Sequence, residues 1–442
     1  MLLQALTVGG LVSPVPANAE LAAPKRKALD ATLAALVHDS ARPLAGLSVL
    51  LIQDGQTVYE GQWGSRRIGR NASEPALPVD ADTLFRVASV SKLTVAVAAM
   101  KLAEQGRLNL DAALDRYLGF ELRHPAHPRT PLTARLLLTH RSSLGDAAGY
   151  SFKTPAAMRR ALASPQAWSA HAPGSYFAYA NLNLGVLAGV MEAITGLRFD
   201  RLMRELLFAP LGLEASFNLA DLSVTQMGNL AALYAKRHDG PDGQQWQPQA
   251  AWQVTADDFR GRLQAEAGAL KHYVPGSNGS LMGPQGGLRI SLRELARLMQ
   301  MLLNLGVWQG RALLQPDSVK QLLQPHWRRA PNGRNDDDLH GLFNAWALGL
   351  QQFTDRSDPP GPGTQSLGDR LTQRGGLQGF GHLGEAYGLL SGFIFDPQRR
   401  WGVIYAINGV SDNPVRYLGR YSSFSRWEES LLNHLLSALP TA

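Results

Sequence analysis

Strand-forming sequence lies at both ends of this chain and helical periodicity fills the middle, an order that few architectures accommodate. Near the start, residues 44–53 and 57–65 are rich in β-branched and aromatic residues, and Asp54-Gly55 supplies a hairpin turn between them. Near the end, 344–353, 379–382, 387–395 and 401–407 read as strands, with Asp396-Pro397 opening the last turn. Between about 89 and 285 the apolar spacing is mainly helical. Helices are predicted over 89–105, 131–139, 154–164, 182–195 and 198–208, with Gly106 and Gly196 as stops. Further helices are expected at 24–39, 291–304 and 424–438. Residues 218–283 favour long loops, and 354–370, with Pro359, Pro360 and Pro362, reads as an exposed one.

This order predicts an α/β fold, α+β in layer terms. A central antiparallel sheet is built from both chain ends and flanked by helices, with a mostly helical domain inserted. The split domain is expected over 24–80 and 286–442, and the helical one over 81–285. The 442 residues, 45% of them hydrophobic, can bury one large core or two intimate sub-domains. The absence of cysteine excludes a disulfide scaffold, a thiol nucleophile and thiolate metal sites. A net charge of +7, with no basic run or basic–aromatic stripe, argues against nucleic acid as a partner.

Residues 1–19 combine a mostly apolar stretch with Ala17-Asn18-Ala19, the pattern of a secretory signal and its cleavage site. The basic start of such a signal is missing, since Lys25 is the first basic residue. Export to the periplasm is the expectation; without a working signal the chain stays cytoplasmic. Pro14 and Pro16 interrupt a stretch already too short to span a bilayer, and no integral membrane segment is predicted.

Three short segments could carry chemistry. In Ser89-Val90-Ser91-Lys92, entering a helix, Ser89 and Lys92 share a helical face, so the amine can approach the hydroxyl. Such an amine acts as a base when burial lowers its pKa. A serine there can equally be a plain cap, and the lysine merely solvated. Tyr179-Ala180-Asn181 precedes an apolar helix: Asn181 either caps it or, with Tyr179, projects into a cleft. In Gly381-His382-Leu383-Gly384, His382 could bond the tyrosine oxygen or an anionic substrate, and Gly384 would let backbone pass close to a bound acyl group.

Together the three resemble the serine β-lactamase and penicillin-binding-protein superfamily, in particular the group of class C β-lactamases, D-alanyl-D-alanine carboxypeptidases and related esterases. That group's pattern is Ser-x-Ser-Lys, Tyr-x-Asn and Lys- or His-x-Gly. Leu138-Thr139-His140-Arg141-Ser142-Ser143-Leu144, Pro173-Gly174 and Gly286-Gly287-Leu288 also fit, and the likeness spans roughly 30 to 436. The resemblance implies Ser89 as acylated nucleophile, with Lys92 and Tyr179 handling its proton. It implies Asn181, His382 and Gly384 as substrate-binding residues, and an oxyanion hole formed by the backbone N–H groups of Ser89 and Glu385.

Two departures bear on substrate. His382 replaces the lysine usual in class C β-lactamases and carries less charge at neutral pH. Glu385 places a carboxylate where a small residue is usual. The expected activity is a D-alanyl-D-alanine carboxypeptidase-like or D-amino-acid peptidase or amidase, acting on small peptides, amides or peptidoglycan fragments. The alternatives are a carboxylesterase, a class C-like β-lactamase, and a catalytically inert binding protein. No Gly-x-Ser-x-Gly elbow or His-Glu-x-x-His motif occurs. Pro125 and Pro128 argue against a metal face at His124 and His127, and neither metal nor cofactor is predicted.

Overall fold

The computed structural model describes residues 20–240, 243–259, 270, 272–337, 339–359 and 366–439, and in it the two chain ends pair into one sheet. The N-terminal strands are β1 (Gly46–Gln53), β2 (Gln56–Arg67) and β3 (Leu77–Pro78). The C-terminal ones are β4 (Trp327–Arg328), β5 (Ala345–Trp346), β6 (Gln351–Phe353), β7 (Gly379–Ala386), β8 (Leu389–Asp396) and β9 (Trp401–Ile407). Their spatial order is β4-β5-β6-β7-β8-β9-β1-β2-β3, and every neighbouring pair runs antiparallel. The β1–β2 turn is Asp54-Gly55, both at positive φ (53° and 78°), as a two-residue hairpin of matching twist requires.

The sheet is buried on both faces, and the period of two along its strands decides which side chain goes where. Val403, Tyr405 and Ile407 of β9, with Leu47, Val49 and Leu51 of β1, face helices α1 (Ala23–Val37) and α5 (Arg426–Ser437). Ile404 and Ala406, with Leu50 and Ile52, face the larger core. That core includes α2 (Ser91–Glu104), α3 (Leu182–Thr195) and α4 (Leu292–Leu303). Capping boxes start α4, from Ser291 and Glu294, and α5, from Ser425 and Glu428. No single described helix is long and apolar enough to cross a membrane; α3 with residues 199–208 passes only as a pair bent by 78°.

The structure departs from the sequence reading in three places. Residues 218–283, expected as loops, hold strands Leu233–Ala235 and Gln253–Ala256. Leu233–Ala235 pairs with Gly409–Val410 as well, and a hairpin joins Arg237–Gly240 to Gly243–Trp246. The predicted strand at 344–353 is split into β5 and β6, because Gly349 turns the chain with φ 75°. The predicted helix at 89–105 begins as a single 3₁₀ turn, Ala88–Val90, before α2 takes over at Ser91. The N-terminal signal reading lies outside the described residues, as does 360–365 of the expected exposed loop.

Candidate active site

Ser89 sits in that 3₁₀ turn, wedged between the edge of β7 and the body of α2. Ala88, just before it, has φ 42°, a left-handed conformation costing a non-glycine residue about 1–3 kcal/mol. Three bonds hold the strained turn. Val87 N–H donates to Leu288 O at 3.0 Å, Val90 N–H closes on Val87 O at 3.2 Å, and Ser391 Oγ of β8 donates to Val87 O at 2.9 Å. Gly384 makes the approach of β7 sterically feasible. A Cβ at that position would lie 2.6 Å from Val87 O and 3.2 Å from Ser89 N.

Lys92 is fully buried one turn further on, and its Nζ lies 2.8 Å from Ser89 Oγ, 2.8 Å from Asn181 Oδ1 and 2.9 Å from Gln285 O. The orientation of the Asn181 amide follows from its other end. Nδ2 donates to the carboxylate of Asp146 at 2.9 Å, so Oδ1 must face the amine. Burial pushes the Lys92 amine down to about 7, opposed by the negative charge of Asp146. A neutral amine has two hydrogens and one lone pair. Asn181 Oδ1 and Gln285 O are acceptors only and take the two hydrogens, which leaves the lone pair for the Ser89 hydroxyl. Lys92 is therefore arranged as a base toward Ser89.

The Tyr179 ring lies over the amine, with Nζ 4.9 Å from its centroid. Burial raises the phenol above its ordinary value, partly offset by the nearby Ser89 hydroxyl. His140 stacks on Tyr179 at 4.4 Å and Phe343 at 5.4 Å, while Trp346 meets it edge-on at 5.7 Å. Burial keeps His140 well below its ordinary pKa, so Nδ1 is free to accept from Ala180 N–H at 3.1 Å.

Asn181 does not cap α3. Asp146 does, accepting from Leu182 N–H at 2.9 Å through Oδ1 and from Asn181 N–H at 2.9 Å through Oδ2. One carboxylate thus anchors the helix start, aims the asparagine and biases the lysine. Asp146 and the carbonyl of Gln285 escaped the sequence reading, which has His140 only as part of the Leu138–Leu144 landmark and gives it no role. Asp146, two residues beyond the Leu138–Leu144 landmark, left a local clue, whereas a backbone carbonyl leaves none.

His382 is 2% exposed, and burial pushes it down to about 3, so its ring is neutral. Nδ1 lies 2.5 Å from the Leu383 carbonyl and carries the ring proton. Nε2 is a bare lone pair with no hydrogen-bond partner among the described residues. Of the two contacts expected for His382, the structure shows no bond to the tyrosine oxygen; the rings stand 6.1 Å apart.

Ser89, Tyr179, Asn181, His382, Gly384 and Glu385 all line one cleft of about 380 Å³, with Lys92 sealed behind Ser89. All seven residues singled out from the sequence therefore converge. The rest of the lining is largely apolar, with Leu339, Leu342, Phe343, Pro414, Val415, Leu418 and Phe424, and it also holds Glu428. No lysine or arginine is among the described lining residues. No group of three or more described histidine or acidic residues is placed to hold a metal ion.

The sequence model of the family described as Beta-lactamase matches residues 29–424. The D-alanyl-D-alanine-carboxypeptidase/endopeptidase AmpH of Escherichia coli (strain K12) is 31% identical over 175 residues, 38% of this chain and 44% of that protein. Esterase EstB of Burkholderia gladioli is 34% identical over 191 residues, 39% of this chain and 46% of its own. The matched stretch spans less than half the length of either relative. Among solved structures, a β-lactamase/D-alanine carboxypeptidase from Yersinia pestis shares the fold, with a TM-score of 0.64 at 17% identity, covering 93% of this chain and 97% of that one.

Proposed function

The chain belongs to the Beta-lactamase family, and from that premise we propose that it is a serine hydrolase working through an acyl-enzyme on Ser89. The observation that carries this reading is the 2.8 Å contact from Lys92 Nζ to Ser89 Oγ, made by a buried amine whose hydrogens have other acceptors. Ser89 Oγ attacks the substrate carbonyl carbon and its proton passes to Lys92 Nζ. The carbonyl oxygen becomes an oxyanion held by the N–H groups of Ser89 and Glu385. The Ser89 N–H suits that role, because the turn closes only from Val90 onward and leaves it without a partner in the turn. One such donor contributes about 3–4 kcal/mol in a comparable hydrolase. Tyr179 relays the proton to the leaving oxygen or nitrogen, the bond to the leaving group breaks, and the acyl group remains on Oγ. Water then attacks the ester, gives its proton back through the same groups, and frees the acid and the serine. Asn181 holds the amine and orients the substrate amide.

The cleft favours one substrate class over another. A peptide ending in a free carboxylate, or a β-lactam, would meet Glu385, Glu428 and a neutral His382, with no lysine or arginine among the described lining residues. An ester or amide that carries no carboxylate meets an apolar wall instead. The carboxylesterase and amidase readings are thus better supported than the carboxypeptidase one. Export through residues 1–19, with cleavage after Ala19, completes the proposal, and cell fractionation of a tagged chain tests that part. The activity itself is tested with a p-nitrophenyl ester, a D-amino-acid amide, a D-alanyl-D-alanine peptide and a cephalosporin. Turnover of the first two, lost in Ser89→Ala, is expected. Turnover that survives in Ser89→Ala overturns the reading.

A further inference from the structure

The lining of the cleft holds a carboxylate that the proposed chemistry does not use. Glu428 is 6% exposed, with Tyr405 donating to Oε1 at 2.7 Å and Ser425 Oγ donating to Oε2 at 2.8 Å. The Ser425 Oγ bond and a second one from Ser425 N–H to Oε2 at 3.2 Å belong to the cap of α5, the Tyr405 bond fixes the other oxygen, and Oε1 alone keeps a further lone pair. Glu385, in the same lining, adds a second negative charge acting on Glu428. Arg237 stands outside the lining and balances part of the charge on Glu385. A separate observation points the same way. His382, also in the lining, keeps its bare Nε2 lone pair buried with no donor to fill it. Glu428, Glu385 and His382 are thus acceptors that want N–H donors and positive charge, set beside apolar lining residues, with His340 also in the lining.

We propose that Glu428 is a specificity-determining residue that takes the ammonium group of an amine-bearing substrate whose hydrocarbon part lies along the Leu339–Phe343 and Pro414–Leu418 wall. The inference rests on reading this cleft as the substrate site. Its substrates are amine-bearing esters or amides, and a carboxylate in the same place is repelled. Burial and the neighbouring Glu385 push the Glu428 carboxyl up to about 7, so it is ionised in mildly alkaline solution, where an alkylamine is still protonated.

The test measures binding by calorimetry at about pH 8, which needs no turnover and so separates this inference from the hydrolase reading. Hexylammonium, hexanol and hexanoate present the same chain with positive, neutral and negative ends. Hexylammonium is expected to bind about tenfold more tightly than hexanol, with hexanoate weakest. In Glu428→Gln the gap between hexylammonium and hexanol is expected to close to about twofold, since glutamine can keep the capping box while removing the charge. Wild-type protein that binds hexanol or hexanoate as tightly as hexylammonium overturns the proposal. So does an undiminished gap in folded Glu428→Gln. If the variant does not fold, the wild-type order alone decides. Loss of Ser89-dependent turnover with the hexylammonium preference intact would instead count against the proposed function alone.

Discussion

The two walls of the cleft are built on opposite principles. On the Ser89 side the polar groups are tied to one another: Lys92 to Ser89, Asn181 and Gln285, Asn181 to Asp146, and Asp146 to the start of α3. On the other side, leucines, a valine, a proline and phenylalanines form a surface with few directional contacts, and one carboxylate lies among them. A fully satisfied buried network holds its geometry against thermal motion, whereas an apolar wall discriminates only by size and by the charge beside it. Reaction type is therefore set by the first wall and substrate choice by the second.

Substitutions should separate the two walls, beginning with the strongest. Lys92→Met keeps the buried volume and removes the base. Turnover of a neutral p-nitrophenyl ester should fall about 10³-fold or more with little change in KM, as for other members of catalytic units that act together. A loss confined to KM would break the division between the walls. Gly384→Ala places a methyl group 2.6 Å from Val87 O and must push β7 away from the serine turn. A misplacement of that size should cost about 10²-fold in kcat. Hydrolysis kinetics that matched the wild type would show that close approach of β7 is not needed. Leu418→Ala, on the opposite wall, should raise KM for a long-chain ester about three- to tenfold while leaving acetyl ester hydrolysis nearly unchanged. A fall in kcat for both esters would mean that the apolar wall also shapes the reacting groups.

Much of the Ser89 wall was legible in the sequence, because its residues lie in short motifs whose order survives any reading of the loops. The helix at 182–195 was read with both ends correct, since a continuous apolar periodicity stops at a glycine. The sheet built from both ends was equally plain from the strand–helix–strand order. Other features depend on tertiary pairing. Strand Leu233–Ala235 is three residues long and exists because Gly409–Val410 and Gln253–Ala256 lie beside it. The role of Asn181 was ambiguous because Asp146, thirty-five residues earlier in the chain, takes over the cap and frees the amide for Lys92. The second acceptor of the amine's hydrogens is the main chain of Gln285, which no side-chain pattern announces. Glu428 reads locally as the third residue of a capping box, and only the folded chain shows that it also lines the cleft that holds Ser89.

The central claim is that a neutral Lys92 amine activates Ser89, and the labelling rate of Ser89 by an uncharged fluorophosphonate tests it most directly. Lys92 is held at about 7 by burial, and its unprotonated form is the reactive one. The rate should therefore rise with pH through about 7 and level off above it, and intact-protein mass should show one adduct, mapped to Ser89. Ser89→Ala should take up none. Equal labelling of Ser89→Ala, or a wild-type rate that does not change from about pH 5 to pH 9, would contradict the account.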